Sequence, residues 1–358
     1  MIRFLAKYRH QTTAIIIIAL IAALTYLAIQ SKNVRMSEYD NDTYSGLAFG
    51  TSVKKTIYMD SASARQEVSN SIDELLKDLD ERISYRNPSS EIASINKAYA
   101  VDGTVTFSPD IKEYLSREIE ICNETEGAFS PCILPLSMLW GIEDGYSKPP
   151  SQAEIDETLL HIDPSDIEIV DDGVIFHNDG MKIDLGAVGK GIAADEVMDE
   201  LSRQKVPGAI VSIGGTIAVY GDKGKGRPWH VGVQDPRGED GKVLGVLEVD
   251  GGNVVSTSGD YEKYFEIGGK RYHHIFDPKT GYPADNGLIS VTICTNDGFL
   301  SDALSTACFV MGLDKGLQYA EDKGVDAIFV TAEKKVYITK SLKRRFNIRN
   351  DEYELAKK

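Results

Sequence analysis

The hydrophobic period of this chain changes partway along, and the change limits the folds open to it. Val68, Ile72, Leu75, Leu76, Leu79 and Ile83 recur at helical spacing over 64–83, as do Ile111, Tyr114, Leu115, Ile119 and Cys122 over 109–123. Ser151 and Glu154 make the Ser-x-x-Glu pattern of a capping box and start a short third helix. Further on the period falls to two. "IEIVDDGVIFHNDGMKIDL" reads as a strand meander punctuated by Asp-Gly turns. A helix is expected at about 193–204, with Ala194, Val197, Met198 and Leu201 inward. Strands are expected at "AIVSIGG", "HVGVQ", "VLEVD", "YFEIGGKRYHHIF" and "ISVTICT". A helix from Ser301 to about Met311 and a hairpin over "AIFVTAEKKVYIT" close the chain. Helices mixed with antiparallel strands in this order predict an α+β fold, with one large domain over 44–350 and no doubly wound parallel sheet.

The N-terminus is different in kind. No formal charge lies between Arg9 and Lys32, and "AIIIIALIAALTYLAI" is almost wholly apolar. A helix needs about 20 such residues to cross a bilayer. Arg3, Lys7 and Arg9 precede the run, so residues 1–33 are expected to anchor the chain with its N-terminus in the cytoplasm and the rest outside. A cleaved signal peptide is the alternative, but "TYLAIQSKN" offers no good A-x-A cleavage pattern. Polar residues 34–43 read as a linker. Residues 1–33 hold four Lys/Arg and no acid, so the net charge of −16 becomes −20 on the exported part. That argues against nucleic acid or an anionic lipid surface as its partner. Cys122, Cys132, Cys294 and Cys308 are scattered with no C-x-x-C, which predicts buried free thiols and no disulfide framework.

Chemistry is concentrated in a few runs. "DLGAVGKGIAADE" carries Asp184 out of a strand, through close-approach glycines, to Lys190 just before a helix. It lacks both the spacing and the Ser/Thr of a Walker loop, and no βαβ unit surrounds it. In "SDALSTACFVMG", Asp302 and Thr306 are four apart and share a helix face, with Ser305 beside them. Such hard oxygens suit Mg²⁺ together with water and phosphate. "STSGDYEKYFE" ends a strand in hydroxyl residues, and "YHHIFDPKTGYP" joins a histidine pair to an Asp-Pro-x-Thr-Gly turn.

In this order, "FGTSV", "YRNPSSEIASIN", "GAFSPCILPLSMLWG", "IDLGAVGKGIAADEV", "IVSIGGTIAVYG", "VSTSGDYEKYF", "HHIFDPKTGYP" and "SDALSTACFVMG" resemble the FAD:protein FMN transferases of the ApbE family, over residues 44–345. The resemblance implies an ApbE-like, T-fold-like domain. It also implies Mg²⁺-dependent transfer of FMN from FAD to a Ser or Thr of a target redox flavoprotein, with release of AMP. Asp302, Ser305, Thr306 and the Ala187 carbonyl match the metal positions. Phe49, Tyr85, Ala128, Phe129, Ser130, Asp184, Lys190 and Phe276 match positions that meet FAD. His274 matches the histidine placed to act as base or orienter at the incoming hydroxyl, and His273 reads as structural. Phe49 stands where the family often has Met, and Ser130 and Thr216 where it usually has Asp. The alternatives are an FAD pyrophosphatase giving FMN and AMP, an exported flavin-binding protein without catalysis, and a structural ectodomain.

Overall fold

The computed structural model describes residues 39–98, 103–171, 173–239 and 241–356. The expected membrane segment and most of the linker lie outside them. Among the described residues no helix is long and apolar enough to cross a membrane.

Strand β1 (Asn41–Ala48) begins within the stretch read as linker and pairs antiparallel with β2 (Thr51–Tyr58). Phe49 and Gly50 join them, both at positive φ (52° and 66°), as a two-residue hairpin turn requires. Helix α1 (Ala62–Ile83) is capped by the Ser61 hydroxyl and buries the stripe expected of it, except that Leu75 is half-buried. Helices α2 (Glu91–Ala98) and α3 (Pro109–Glu124) flank the short β3 (Thr104–Thr106). In α3 the inward position next to Cys122 is Glu118, whereas Ile119 is only half-buried. Helix α4 (Leu134–Trp140) leads into a tight turn at Ile142–Asp144 and then α5 (Gln152–Leu159), where Ser151 and Glu154 form both halves of the capping box.

The meander is only partly formed. Strands β4 (Ile167–Val170) and β5 (Gly173–Phe176) pair, but the other neighbour of β5 is β3, not "MKIDL". Met181, Ile183 and Leu185 are buried alternately, as in a strand. Their backbone is satisfied in another way. The Asn96 amide donates to Ile183 O and accepts from Ile183 N, both at 2.8 Å, and Asp184 N donates to Pro131 O at 3.1 Å. Helix α6 (Gly189–Arg203) starts earlier than expected, which puts Lys190 inside its first turn.

Strands β6 (Gly208–Ile213), β7 (Thr216–Gly221), β8 (Trp229–Gln234), β9 (Val243–Val249), β10 (Asn253–Gly259), β11 (Tyr264–Ile267), β12 (Lys270–His273) and β13 (Leu288–Thr295) follow. Because β12 stops at His273, His274 and Phe276 lie beyond the strand that the sequence suggested for them. Helix α7 (Gly298–Lys323) is broken at Gly312 (φ 78°), one residue past the expected end. Strands β14 (Asp326–Thr331), β15 (Lys335–Ile338), β16 (Phe346–Ile348) and β17 (Glu354–Leu355) complete the described chain.

The main sheet has nine strands in the order β1-β2-β6-β7-β10-β13-β14-β15-β17, antiparallel except for the β15–β17 pair. Its period-two pattern is apolar on both faces. Val254, Val291, Ile293 and Phe329 join one core with α1, α6 and α7. Val255, Cys294, Ile328 and Val330 join another with β8, β9 and β16. The α+β reading therefore holds, with helices on one face and a small sheet on the other. All four cysteines are buried and free.

Candidate active site

Helices α6 and α7 meet at their N-terminal ends. A Cβ on Gly191 would collide with the Gly298 carbonyl, and one on Gly298 with the Gly191 carbonyl, so glycine at both positions is what lets them touch. Each helix then caps the other. Asp302 of α7 accepts from Gly191 N at 3.0 Å, while Asp195 of α6 accepts from Gly298 N at 2.7 Å and Phe299 N at 3.0 Å. Val188, at the start of α6, has no capping side chain, so Asp302 supplies the anion that a helix N-terminus favours.

Asp302 is 3 % exposed. Burial raises its carboxyl above the ordinary range, opposed by Lys190, whose Nζ is 3.5 Å away, and by the Gly191 amide. Burial disfavours the Lys190 ammonium, yet Asp302 and Glu262 hold it above its usual value. Neutral oxygens complete the setting. Thr216 Oγ1 is 3.5 Å from Asp302 Oδ1 and 3.2 Å from Ser256 Oγ. Ser305 Oγ donates to Asp302 O at 2.8 Å, and Ser258 Oγ lies 2.7 Å from Ser305 Oγ and 3.2 Å from Thr306 Oγ1. Since Ser305 spends its proton on the carbonyl, Ser258 must donate to Ser305 and Thr306 to Ser258. That leaves lone pairs free on the half-buried Thr306. Ser305 is fully enclosed and bonded on both sides, an arrangement that suits it to hold Ser258 and Thr306 in place.

Asp184, in the stretch before α6, also feels the charge of Lys190. Burial pushes it up to about 6, with the Gly186 amide at 2.9 Å opposing, Glu143 adding, and Arg86 and Lys190 opposing. Burial would also raise Glu143, but Lys263 at 2.9 Å, His274, and Arg86 at 3.1 Å hold it below the usual carboxylate range. His274 is half-buried beside this cluster. Its Nδ1 lies 3.3 Å from Lys263 O, a carbonyl that can only accept, so Nδ1 carries the proton and Nε2 the lone pair. Burial lowers its pKa to about 4, against Glu143. His273 is buried, its Nδ1 accepting from Ile275 N at 3.2 Å and its Nε2 donating to Ala284 O at 3.0 Å, which is a structural arrangement.

The ring-lining candidates divide by exposure. Phe49 is held at the β1–β2 turn by its amide's bond to Asp80 Oδ2 at 3.2 Å, and a Cβ on Gly189 would stand 4.0 Å from its ring. Tyr85 is half-buried under the Arg86 guanidinium, 4.9 Å from its ring centre. Ala128, Phe129 and Ser130 are buried, as is Phe276, which packs on Trp140 at 5.8 Å. The Asp277–Gly281 turn fixes that cluster, because Gly281 O accepts from Trp140 Nε1 at 2.8 Å. Ala187 is half-buried in the turn before α6.

Among the described residues no group of three or more His, Cys, Asp or Glu is arranged around a metal. The donors around Asp302 are one carboxylate and neutral oxygens. Such a set fits Mg²⁺, which commonly takes one or two carboxylates and completes its shell with water and substrate phosphate. Sequence reading missed Ser258, Arg86, Glu143 and Glu262. For Ser258 a signal was available, since Ser256 and Ser258 alternate onto the face of β10 that meets α7.

The profile of the ApbE family matches residues 49–329, most of the chain, and the chain belongs to that family, a class of transferase enzymes. It is 32% identical over 326 residues to the FAD:protein FMN transferase of Klebsiella pneumoniae (strain 342), covering 89% of this chain and 98% of that protein. It is 31% identical over 342 residues to the Treponema pallidum (strain Nichols) protein of the same name, covering 90% and 92%. In structure it resembles the ApbE protein of Thermotoga maritima (TM-score 0.77, 32% identity, 85% of this chain and 98% of that one). It also resembles the apo flavinyl transferase ApbE of Pseudomonas stutzeri (TM-score 0.75, 27% identity, 86% and 96%).

Proposed function

We propose that this chain is a FAD:protein FMN transferase. It moves FMN from FAD to a Ser or Thr hydroxyl of an exported or membrane-bound flavoprotein and releases AMP. The observation that carries the reading is the buried Asp302 carboxylate, set against the α6 N-terminus beside Lys190 and Thr306, in a chain of the ApbE family. Residues 1–33 serve as the anchor, with the acidic domain outside the cytoplasm.

Asp302, Thr306 and the Ala187 carbonyl would hold Mg²⁺, which neutralises developing charge on the phosphates. Lys190 presents a cation to the pyrophosphate from the first turn of α6. Phe49 and Tyr85 offer half-buried faces to flat rings, and Asp184 offers an acceptor. His274 is neutral at physiological pH with its lone pair on Nε2, so it takes the proton of the incoming hydroxyl. The acceptor oxygen bonds to the FMN phosphorus, the pyrophosphate P–O bond breaks, and AMP leaves.

The test is incubation of the purified full-length protein with FAD, Mg²⁺ and a flavoprotein subunit bearing an acceptor threonine. FMN retained on the subunit in a denaturing gel, with one AMP released per FMN, is the expected result. Free FMN and AMP with an unlabelled subunit would mark a hydrolase, and unchanged FAD a binding protein.

A further inference from the structure

The β11–β12 hairpin leads directly into His274, yet it forms a two-stranded sheet of its own, apart from the nine-stranded one. A lone hairpin is marginal by itself, so its neighbours must fix it. On the β12 side Tyr272 stacks on Trp140 at 5.7 Å, and His273 Nε2 donates to Ala284 O at 3.0 Å. On the β11 side the residue just before the strand is Lys263, which bonds in two directions. Its carbonyl faces His274 twice, accepting from the backbone N at 3.2 Å and from Nδ1 at 3.3 Å. Its Nζ donates to Glu143 Oε1 at 2.9 Å. Glu143 belongs to the tight turn after α4, and its other oxygen accepts from Arg86 Nη2 at 3.1 Å. Arg86 in turn covers the Tyr85 ring just past the end of α1. One carboxylate therefore joins the segment that holds Tyr85 to the segment that holds His274.

We infer that Glu143 and Lys263 are positioning residues for His274: their ion pair holds the Lys263 carbonyl where it keeps the proton on Nδ1 and aims the Nε2 lone pair at the incoming hydroxyl. The inference rests on the reading of His274 as the base of FMN transfer. A fixed acceptor on one ring nitrogen sets both the tautomer and the orientation of an imidazole. A base displaced by a fraction of an ångström loses rate without any loss of substrate binding. The Lys263 side chain is 51 % exposed and that of Glu143 25 %. Ion pairs at such a surface add little to fold stability, so the effect of this one lies in geometry. Arg86 has a second acid, Asp144 Oδ1 at 2.5 Å, and stays over Tyr85 when Glu143 is changed. The Glu143–Lys263 bond can thus be broken while the Tyr85 side is left in place.

Transfer of FMN to an acceptor subunit, measured as kcat and KM for FAD on the full chain, tests this with four variants. Lys263→Met keeps the stem and removes the ammonium. It should lower kcat about ten- to a hundredfold, leave KM within about twofold, and melt within about 3 °C of wild type. Glu143→Ala should lower kcat to a similar extent, and the double variant with Lys263→Met should be no slower than either single one. Lys263→Arg restores a cation with the reach to meet Glu143 and should recover at least about a third of the wild-type rate. In a His274→Ala background Lys263→Met should cost nothing further, because the residue through which it acts is gone. A Lys263→Met enzyme with wild-type kcat would overturn the inference. So would a raised KM at unchanged kcat, or the same fold-loss with and without His274. A wild type that transfers no FMN would instead contradict the transferase reading and take this inference with it.

Discussion

Asp302 and Gly191 belong to different helices, yet the carboxylate of one lies 3.0 Å from the amide of the other. This contact ties the lysine proposed to face the pyrophosphate to the proposed metal ligand, because Lys190 immediately precedes Gly191 and its Nζ reaches back to 3.5 Å from the same carboxylate. Cap, cation and ligand therefore share one group, and substitutions can separate their contributions.

Asp302→Asn keeps an oxygen for the Gly191 amide and removes the charge. Transfer activity should fall about a hundred- to a thousandfold, with the fold retained. Asp302→Leu should lose as much activity and, with the cap gone, a further ~1–2 kcal/mol of stability. Steady-state turnover and chemical denaturation of the two variants side by side check both statements.

Neighbouring glycines should behave in opposite ways. Gly191→Ala drives a methyl into the Gly298 backbone and should cost about 1–3 kcal/mol or more. At Gly189 the nearest atom to a new methyl is Ile83 Cδ1 at 3.5 Å, an ordinary contact. Gly189→Ala should therefore be neutral or stabilising by about 0.5–1 kcal/mol, as alanine is in a helix. Urea unfolding of the pair decides it.

Asp184 predicts the sign of a pH effect on stability. Its folded pKa is raised to about 6, so its contribution is fully present below the ordinary carboxylate range and is lost as pH rises through about 6. Asp195, also pushed up to about 6 by burial, acts in the same direction, whereas His274, lowered to about 4, acts in the opposite one. The melting temperature of Asp184→Asn relative to wild type should therefore increase from pH 4 to pH 7. A flat difference would remove Asp184 from its buried setting.

His274→Ala should lower transfer about a hundred- to ten-thousandfold, the usual contribution of a positioned base, while FAD still binds. Because its pKa is about 4, His274 remains neutral down to that range, and an activity limb near pH 6 would belong to Asp184. Pre-steady-state transfer rates across pH 4–8 separate the two groups.

The sequence was most legible where one period and one cap acted together. The stripe of α1, the box at Ser151 and Glu154, and the end of the first half of α7 near Gly312 all follow from local pattern. It misled where side chains from afar replaced backbone partners. "MKIDL" alternates like a strand, but Asn96 takes the place of a neighbouring strand at Ile183. The glycines before residue 193 read as loop because their helix is capped from 111 residues away, by Asp302. Glu118 is not legible as a core position because a charged residue does not announce one. Asp302, Thr306 and Lys190 stand in runs that the residue pattern singles out and His274 follows from the family resemblance, while the neighbours Ser258, Glu143 and Glu262 depend on the tertiary fold.

The central claim is that the Asp302 site moves FMN onto a protein hydroxyl. The most direct test is the intact mass of an acceptor subunit after incubation with FAD and Mg²⁺, using wild-type enzyme, Asp302→Asn, and wild type with a metal chelator. A gain of one FMN on the acceptor with wild type alone, lost when the acceptor threonine is changed to valine, is the predicted result. An equal gain with Asp302→Asn, or in the presence of chelator, would contradict it.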